Sequence, residues 1–160
     1  MGRKKKKDSN KDNRVELYTD GGNRVIDGKN IGGYAAYIHS NDPKNQVMIV
    51  GSEFDTTNNR MELCGVIEGL SSIPENSKVD VYTDSQYVVN AFNKNWIINW
   101  EKKDFKGVKN SELWKSLLDE KDKHKEVTFH WVKGHSSNDK NNLCDRLATA
   151  VMFSSTEKEN

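Results

Sequence analysis

The chain has 160 residues, 34% of them hydrophobic and 31% charged, which fits one domain with a modest core and a heavily charged surface. It has no run of about 18 apolar residues, so it has no helix suited to spanning a membrane, and no apolar stretch near the N-terminus suggests a secretory signal. The net charge of +1 conceals an asymmetry: residues 1–14 carry seven Lys/Arg and two Asp, and the rest of the chain is net acidic. A basic extension on an acidic body suits contact with polyanions. Residues 1–13 are expected to form a basic disordered tail, 14–153 one domain, and 154–160 ("SSTEKEN") a disordered C-terminal tail. Cys64 and Cys144 lack a metal-site spacing and are expected to be reduced thiols, as in a cytoplasmic protein.

"VELYTD" opens the domain with clean alternation: Val15, Leu17 and Thr19 on one face, Glu16, Tyr18 and Asp20 on the other. This is a strand pattern ending on a carboxylate. The glycine-rich "GGNRVIDGKNIGG" follows, with "DGKN" as a turn signal. "YAAYIHS" and "QVMIVGSEF" bracket "NDPKN" and predict a hairpin. The period then changes. Leu63, Val66, Ile67, Leu70 and Ile73 fall at helical spacing, with Thr56, Thr57 or Asn58 as cap and Pro74 as terminator.

"KVDVYTD" predicts a fourth strand, again ending on an aspartate. Helices are expected over "SQYVVNAFN", "WIINWEKK" and "SELWKSLLDEKDK". "VTFHWV" predicts a fifth strand, and "DKNNLCDRLATAVMF" a closing helix with Leu143, Leu147 and Val151 as its apolar stripe. His39 and His124 read as surface histidines. The order βββαβαααβα predicts an α/β domain with one mixed sheet flanked by helices.

Asp20 and Asp84 each follow "YT" at a strand end. In α/β sheets, sites gather beyond the carboxyl ends of parallel strands. Either aspartate alone reads well as a turn former. The repeated ending is harder to explain that way. Glu62, in the first turns of the long helix, and Asp145, beside the stripe of the last, are further acids. Glu62 could serve only the helix dipole, and Asp145 could pair with Arg146. Gathering such charges is costly, because two at 4 Å repel by about 4 kcal/mol at an effective dielectric of 20. A cluster of this kind takes up protons or binds cations. Oxygen-only ligands favour Mg²⁺ or Mn²⁺, and a pair of such ions suits phosphodiester hydrolysis.

"YTDGG", "TTNNRMEL", "YTDSQYV", "WIINW", "WVKGHS" and "NNLCDRLA", in this order and spacing, resemble type 1 ribonuclease H, of the bacterial ribonuclease HI kind, over residues 14–153. The resemblance implies the ribonuclease H-like fold, a five-stranded mixed sheet whose first three strands are antiparallel. It also implies cleavage of the RNA strand of RNA/DNA hybrids by a two-metal-ion mechanism, leaving 5′-phosphate and 3′-hydroxyl ends. The implied Mg²⁺ ligands, with Mn²⁺ as a substitute, are Asp20, Glu62, Asp84 and Asp145. His135 matches a loop histidine that assists proton transfer or product release.

The same resemblance assigns substrate contacts. Asn58, Asn59 and Gln86 match residues that read the RNA strand from the minor groove, where 2′-hydroxyls distinguish RNA. Thr57 and Asn110 match a pocket for a DNA-strand phosphate. Trp96 and Trp100 match the aromatic surface on the deoxyriboses, although spacing alone also suits core packing. Lys102, Lys103, Lys106 and Lys109 match a basic protrusion, diluted here by Glu101 and Asp104. Two departures stand out. Asp55 lies where some members have an arginine beside the phosphate pocket, and the 21–33 segment offers both Asn23 and Asn30 as an RNA contact. A monomer acting on RNA/DNA hybrids is expected. An integrase-type core cutting DNA, a hybrid-binding protein without activity, or a retroviral-type ribonuclease H domain are the alternatives.

Overall fold

The computed structural model describes residues 14–41, 46–134 and 138–159. Five strands form one sheet in the order β3-β2-β1-β4-β5: β1 (Arg14–Ile26), β2 (Lys29–His39), β3 (Val47–Phe54), β4 (Lys78–Thr83) and β5 (Glu126–Trp131). The pairs β1–β2 and β2–β3 are antiparallel, while β1–β4 and β4–β5 are parallel. The helices are α1 (Asn58–Ser71), α2 (Gln86–Asn93), α3 (Trp96–Lys102), α4 (Ser111–Asp122) and α5 (Asp139–Glu159). The expected element order and the antiparallel opening are both present. Among the described residues, no helix is long and apolar enough to cross a membrane.

β1 is longer than its alternation suggested. The segment 21–33 is not a loop: strand pairing continues to Ile26↔Lys29 around Asp27-Gly28. Both of those turn residues have positive φ, 51° and 77°, the pairing that makes Asp-Gly a tight hairpin turn. Asp20 is therefore inside a strand rather than at its end. What stops there is the parallel pairing with β4, whose last registered pair is Tyr18↔Tyr82. Asp20 and Asp84 each lie two residues beyond that pair. They leave it at the same level, where β1 and β4 diverge.

The main core lies between the sheet and α1–α4, around Leu17, Leu63, Val66, Val81, Trp114 and Phe129. Burying side chains of this size contributes about 1.5–3 kcal/mol each before ordering entropy is counted. Thr57 caps α1, its hydroxyl accepting from the Arg60 N–H at 3.2 Å. His124 is not a surface histidine. It is 8% exposed and its Nε2 lies 2.9 Å from the Leu70 carbonyl, tying the end of α4 to α1. His39 pairs with Glu16 at 3.1 Å across β1 and β2.

α5 covers the other face through Tyr18, Ala35, Cys144 and Ala148. Its buried stripe is Cys144, Ala148, Met152 and Thr156, one residue out of step with the predicted Leu143, Leu147 and Val151. The reason is close approach: a Cβ on Gly33 would collide with the Ala148 carbonyl and with the Met152 and Val151 side chains, so the helix turns Ala148 and Met152 onto the sheet, Val151 stays at the edge of the contact and the leucines flank it. α5 also continues to Glu159. The expected disorder from residue 154 is thus replaced by helix, held in part by buried Thr156, whose hydroxyl donates to the Met152 carbonyl at 2.9 Å. Residues 1–13, expected as the basic tail, lie outside the described residues.

Candidate active site

Three elements deliver carboxylates to the crevice beside β1. Asp20 comes from β1, Glu62 from the first turns of α1, and Asp84 from the bend between β4 and α2. Their ligand oxygens all lie within 4.8 Å of one another. Glycine makes this convergence possible. A Cβ on Gly21 would meet the Met61 carbonyl carbon at 2.5 Å and the Glu62 nitrogen at 2.7 Å, so only a bare backbone lets the start of α1 sit against β1. Asp145 arrives on α5 from the opposite face and is half-buried. It lies outside the three-residue set but lines the same crevice as Asp20 and Asp84.

The electrostatics follow from burial and crowding. Asp20, 9% exposed, is pushed up to about 8, by burial first and then by Asp84 and Asp145. Glu62, 8% exposed, is held well above the ordinary carboxylate range, by burial and then by Asp20 and Asp84. The Gly21 N–H and the Thr83 hydroxyl offset this only in part. Glu62 Oε2 is buried without a hydrogen-bond partner. A buried, unpartnered carboxylate oxygen facing two other acids fits a cation: the donor set is hard oxygen, and a divalent ion would relieve both the repulsion and the orphaned lone pairs. Without an ion, protons take that role.

The crevice opens into a groove lined by Asn23, Asn58 and Thr149 as well as the acids. The Asn23 backbone N–H donates to Asn58 Oδ1 at 2.7 Å. Asn30 stands behind, accepting from Asn23 Nδ2 at 3.0 Å and donating to the Thr56 carbonyl at 3.1 Å. Of the two asparagines left open by the sequence, Asn23 faces the groove and Asn30 braces it. Asn58, Asn59 and Gln86 are all exposed. Asn110 accepts from Arg60 Nη1 at 3.3 Å and donates to the Tyr87 hydroxyl at the same distance. Arg60 also pairs with Glu112 at 2.5 Å.

Trp96 is exposed, while Trp100 is half-buried and packs edge-on against Trp114, with centroids 5.1 Å apart. The two indoles therefore split the alternatives: Trp96 presents surface and Trp100 fills core. Lys102, the last residue of α3, and Lys103, Lys106 and Lys109 beyond it are exposed. His135 lies outside the described residues.

Two residues at the site carried no sequence signal. Thr83 is fully buried, its hydroxyl partly offsets the upward push on Glu62, and it accepts from the Ser85 N–H at 3.1 Å. Trp131 donates its indole N–H to the Asp84 carbonyl at 3.1 Å.

The family model for RNase H matches residues 12–153. The chain belongs to the ribonuclease H family. It is 44% identical to a ribonuclease H of Thermoanaerobacter sp. (strain X514) over 155 residues, covering 94% of this chain and 97% of that one. It is 43% identical to a ribonuclease HI of Synechocystis sp. over 144 residues, covering 87% of this chain and 88% of the relative. Among solved structures, LC9-RNase H1, a type 1 RNase H with the type 2 active-site motif, superposes with a TM-score of 0.78 at 27% identity, covering 88% of this chain and 72% of that one. The chain is accordingly a ribonuclease H-type nuclease, with the five-stranded mixed sheet of that fold.

Proposed function

We propose that this ribonuclease H hydrolyses the RNA strand of RNA/DNA hybrids, leaving 5′-phosphate and 3′-hydroxyl ends, with two divalent ions, Mg²⁺ or Mn²⁺, held by Asp20, Glu62, Asp84 and Asp145. The observation that carries the reading is the crowding of three acids around the unpartnered Glu62 oxygen. When bound, the ions supply an activated water and charge neutralisation at the departing 3′-oxygen. The chain's own groups do the rest. Glu62, buried beside Asp20 and Asp84, anchors the cluster. Asp20, raised by burial and by its acidic neighbours, holds a proton until a cation displaces it. His135, from the segment after β5, moves protons or assists product release.

Asn23, Asn58, Asn59 and Gln86 read 2′-hydroxyls along the groove. Thr57 and Asn110 hold a DNA-strand phosphate, Trp96 and the exposed edge of Trp100 pack on deoxyriboses, and Lys102, Lys103, Lys106 and Lys109 contact the backbone. The protein acts as a monomer. Cleavage of a labelled hybrid in Mg²⁺, lost in EDTA, is the expected result. Robust cutting of double-stranded DNA, or of RNA without a DNA partner, would refute the reading.

The phosphate pocket supplies a sharper test. Asp55 has a positive φ of 54° and sits two residues before Thr57. Asn tolerates that backbone without strain and removes the negative charge. Relief of one unfavourable charge contact of about 1 kcal/mol lowers KM roughly fivefold. Asp55→Asn is therefore expected to lower KM for the hybrid with kcat unchanged, measured at low ionic strength. An unchanged KM would place the DNA-strand phosphate elsewhere.

A further inference from the structure

Among the cluster acids, Asp84 alone lies in neither strand nor helix. Asp20 inherits its orientation from strand pairing, and Glu62 and Asp145 from helix hydrogen bonds. The bend at Asp84 has no such ladder, so other bonds must fix it. Three are present. The Val132 N–H donates to the Thr83 carbonyl at 2.9 Å, the Ser85 N–H to the Thr83 hydroxyl at 3.1 Å, and the Trp131 indole N–H to the Asp84 carbonyl itself at 3.1 Å. The chain after Trp131 then returns past the carboxylate: a Cβ on Gly134 would lie 3.0 Å from Asp84 Oδ2. Segment 131–134 thus touches Asp84 at both its main chain and its acid group.

Trp131 is 47% exposed. An indole this open is poorly accounted for by core packing, and its N–H could have bonded to water at little cost. We propose that Trp131 is a positioning residue for the active site: its indole N–H holds the Asp84 carbonyl and fixes the peptide from which the metal-binding carboxylate projects. The inference rests on the reading of Asp84 as a metal ligand. Partners that orient ligands in this way change metal affinity or activity by about 10–100-fold when lost.

The test is Trp131→Phe, which keeps an aromatic ring and removes the donor. Thermal unfolding is followed during Mn²⁺ titration, and kcat and KM are measured against Mg²⁺. The Mn²⁺ concentration for half-maximal stabilisation should rise about tenfold, with a similar fall in kcat at limiting Mg²⁺. The metal-free Tm and KM for the hybrid should stay close to those of the parent. An Mn²⁺ response matching the parent overturns the proposal. So does a change confined to KM, which would make the exposed ring a substrate contact, or one confined to the metal-free Tm.

Should the phenylalanine variant fail to fold, benzothienylalanine at 131, isosteric with tryptophan but without the N–H, is judged by the same outcomes. Asp84→Asn is the control. If it keeps the full Mn²⁺ response, the ligand assignment itself is wrong. If it loses that response while the Trp131 variants keep theirs, only the positioning role is wrong.

Discussion

Glu62→Gln is expected to abolish hybrid cleavage while making the metal-free protein more stable, not less. Gln matches Glu in volume, so the packing beneath the cluster is preserved and no cavity arises. The change removes one of three acids whose oxygens lie within 4.8 Å of each other, and its amide can donate to a neighbouring carboxylate. In the metal-free protein both effects favour the folded state. In the loaded enzyme they remove a ligand. Charge stabilisation by a bound metal supplies several kcal/mol to the transition state, and a loss of about 4 kcal/mol corresponds to roughly a thousandfold in rate. The paired readout separates chemistry from structure. Lost activity with a raised metal-free Tm identifies Glu62 as a ligand held at a cost in stability. Lost activity with a lowered Tm would make it a structural residue, and retained activity would remove it from the site altogether.

The strand alternation of Val15 to Asp20 and the helical spacing of Leu63 to Ile73 come from one-dimensional periodicity, so the sheet and α1 are legible in the sequence. The four acids were legible because the recognisable motifs carry them at fixed offsets. The misreadings share a physical cause. The pattern of β1 ends at Gly21 because glycine normally breaks strands, whereas here Gly21 lets the start of α1 close on the sheet. The stripe of α5 differs from the spacing of its leucines because the Ala148 carbonyl and Met152 close on Gly33 while Cys144 sits against the Tyr18 carbonyl.

His124 reads as a surface residue because nothing near it in sequence reveals the Leu70 carbonyl, 54 residues away, that accepts from it. Thr83 and Trp131 were invisible for the same reason. Their partners are a buried acid on another element and a main-chain carbonyl, and neither leaves a trace in residue spacing. A sequence displays which groups can do chemistry. What holds those groups in place depends on three-dimensional neighbours.

The second large effect is in pH. Asp20 is pushed up to about 8, by burial first and then by Asp84 and Asp145, and Glu62 is likewise held above its ordinary range. For an acid whose pKa is higher folded than unfolded, the folded state binds more protons. Its contribution to stability is complete below the unfolded value, near 4, and is lost as pH rises through the folded value. The metal-free protein should therefore lose stability between about pH 5 and pH 8.5, opposite to the direction expected from salt-bridged carboxylates.

Asp80 does not confuse the window. Burial pushes it up, but its bonds to Arg14 and His130 outweigh that and leave it below the ordinary range, so its contribution is lost only in acid. Each kcal/mol lost lowers Tm by roughly 2–4 °C at this chain length, and a drop on the order of 5 °C or more is expected across the window. Divalent ions compete with the same protons, so Mn²⁺ should raise Tm more at pH 8.5 than at pH 6. The Asp20→Asn, Glu62→Gln double variant should flatten both trends, which assigns them to the cluster. A metal-free Tm that holds level or rises toward pH 8.5 would mean that the carboxylates part with their protons at ordinary pH. The crowding seen around Glu62 would then have to be relieved by some group other than a cation.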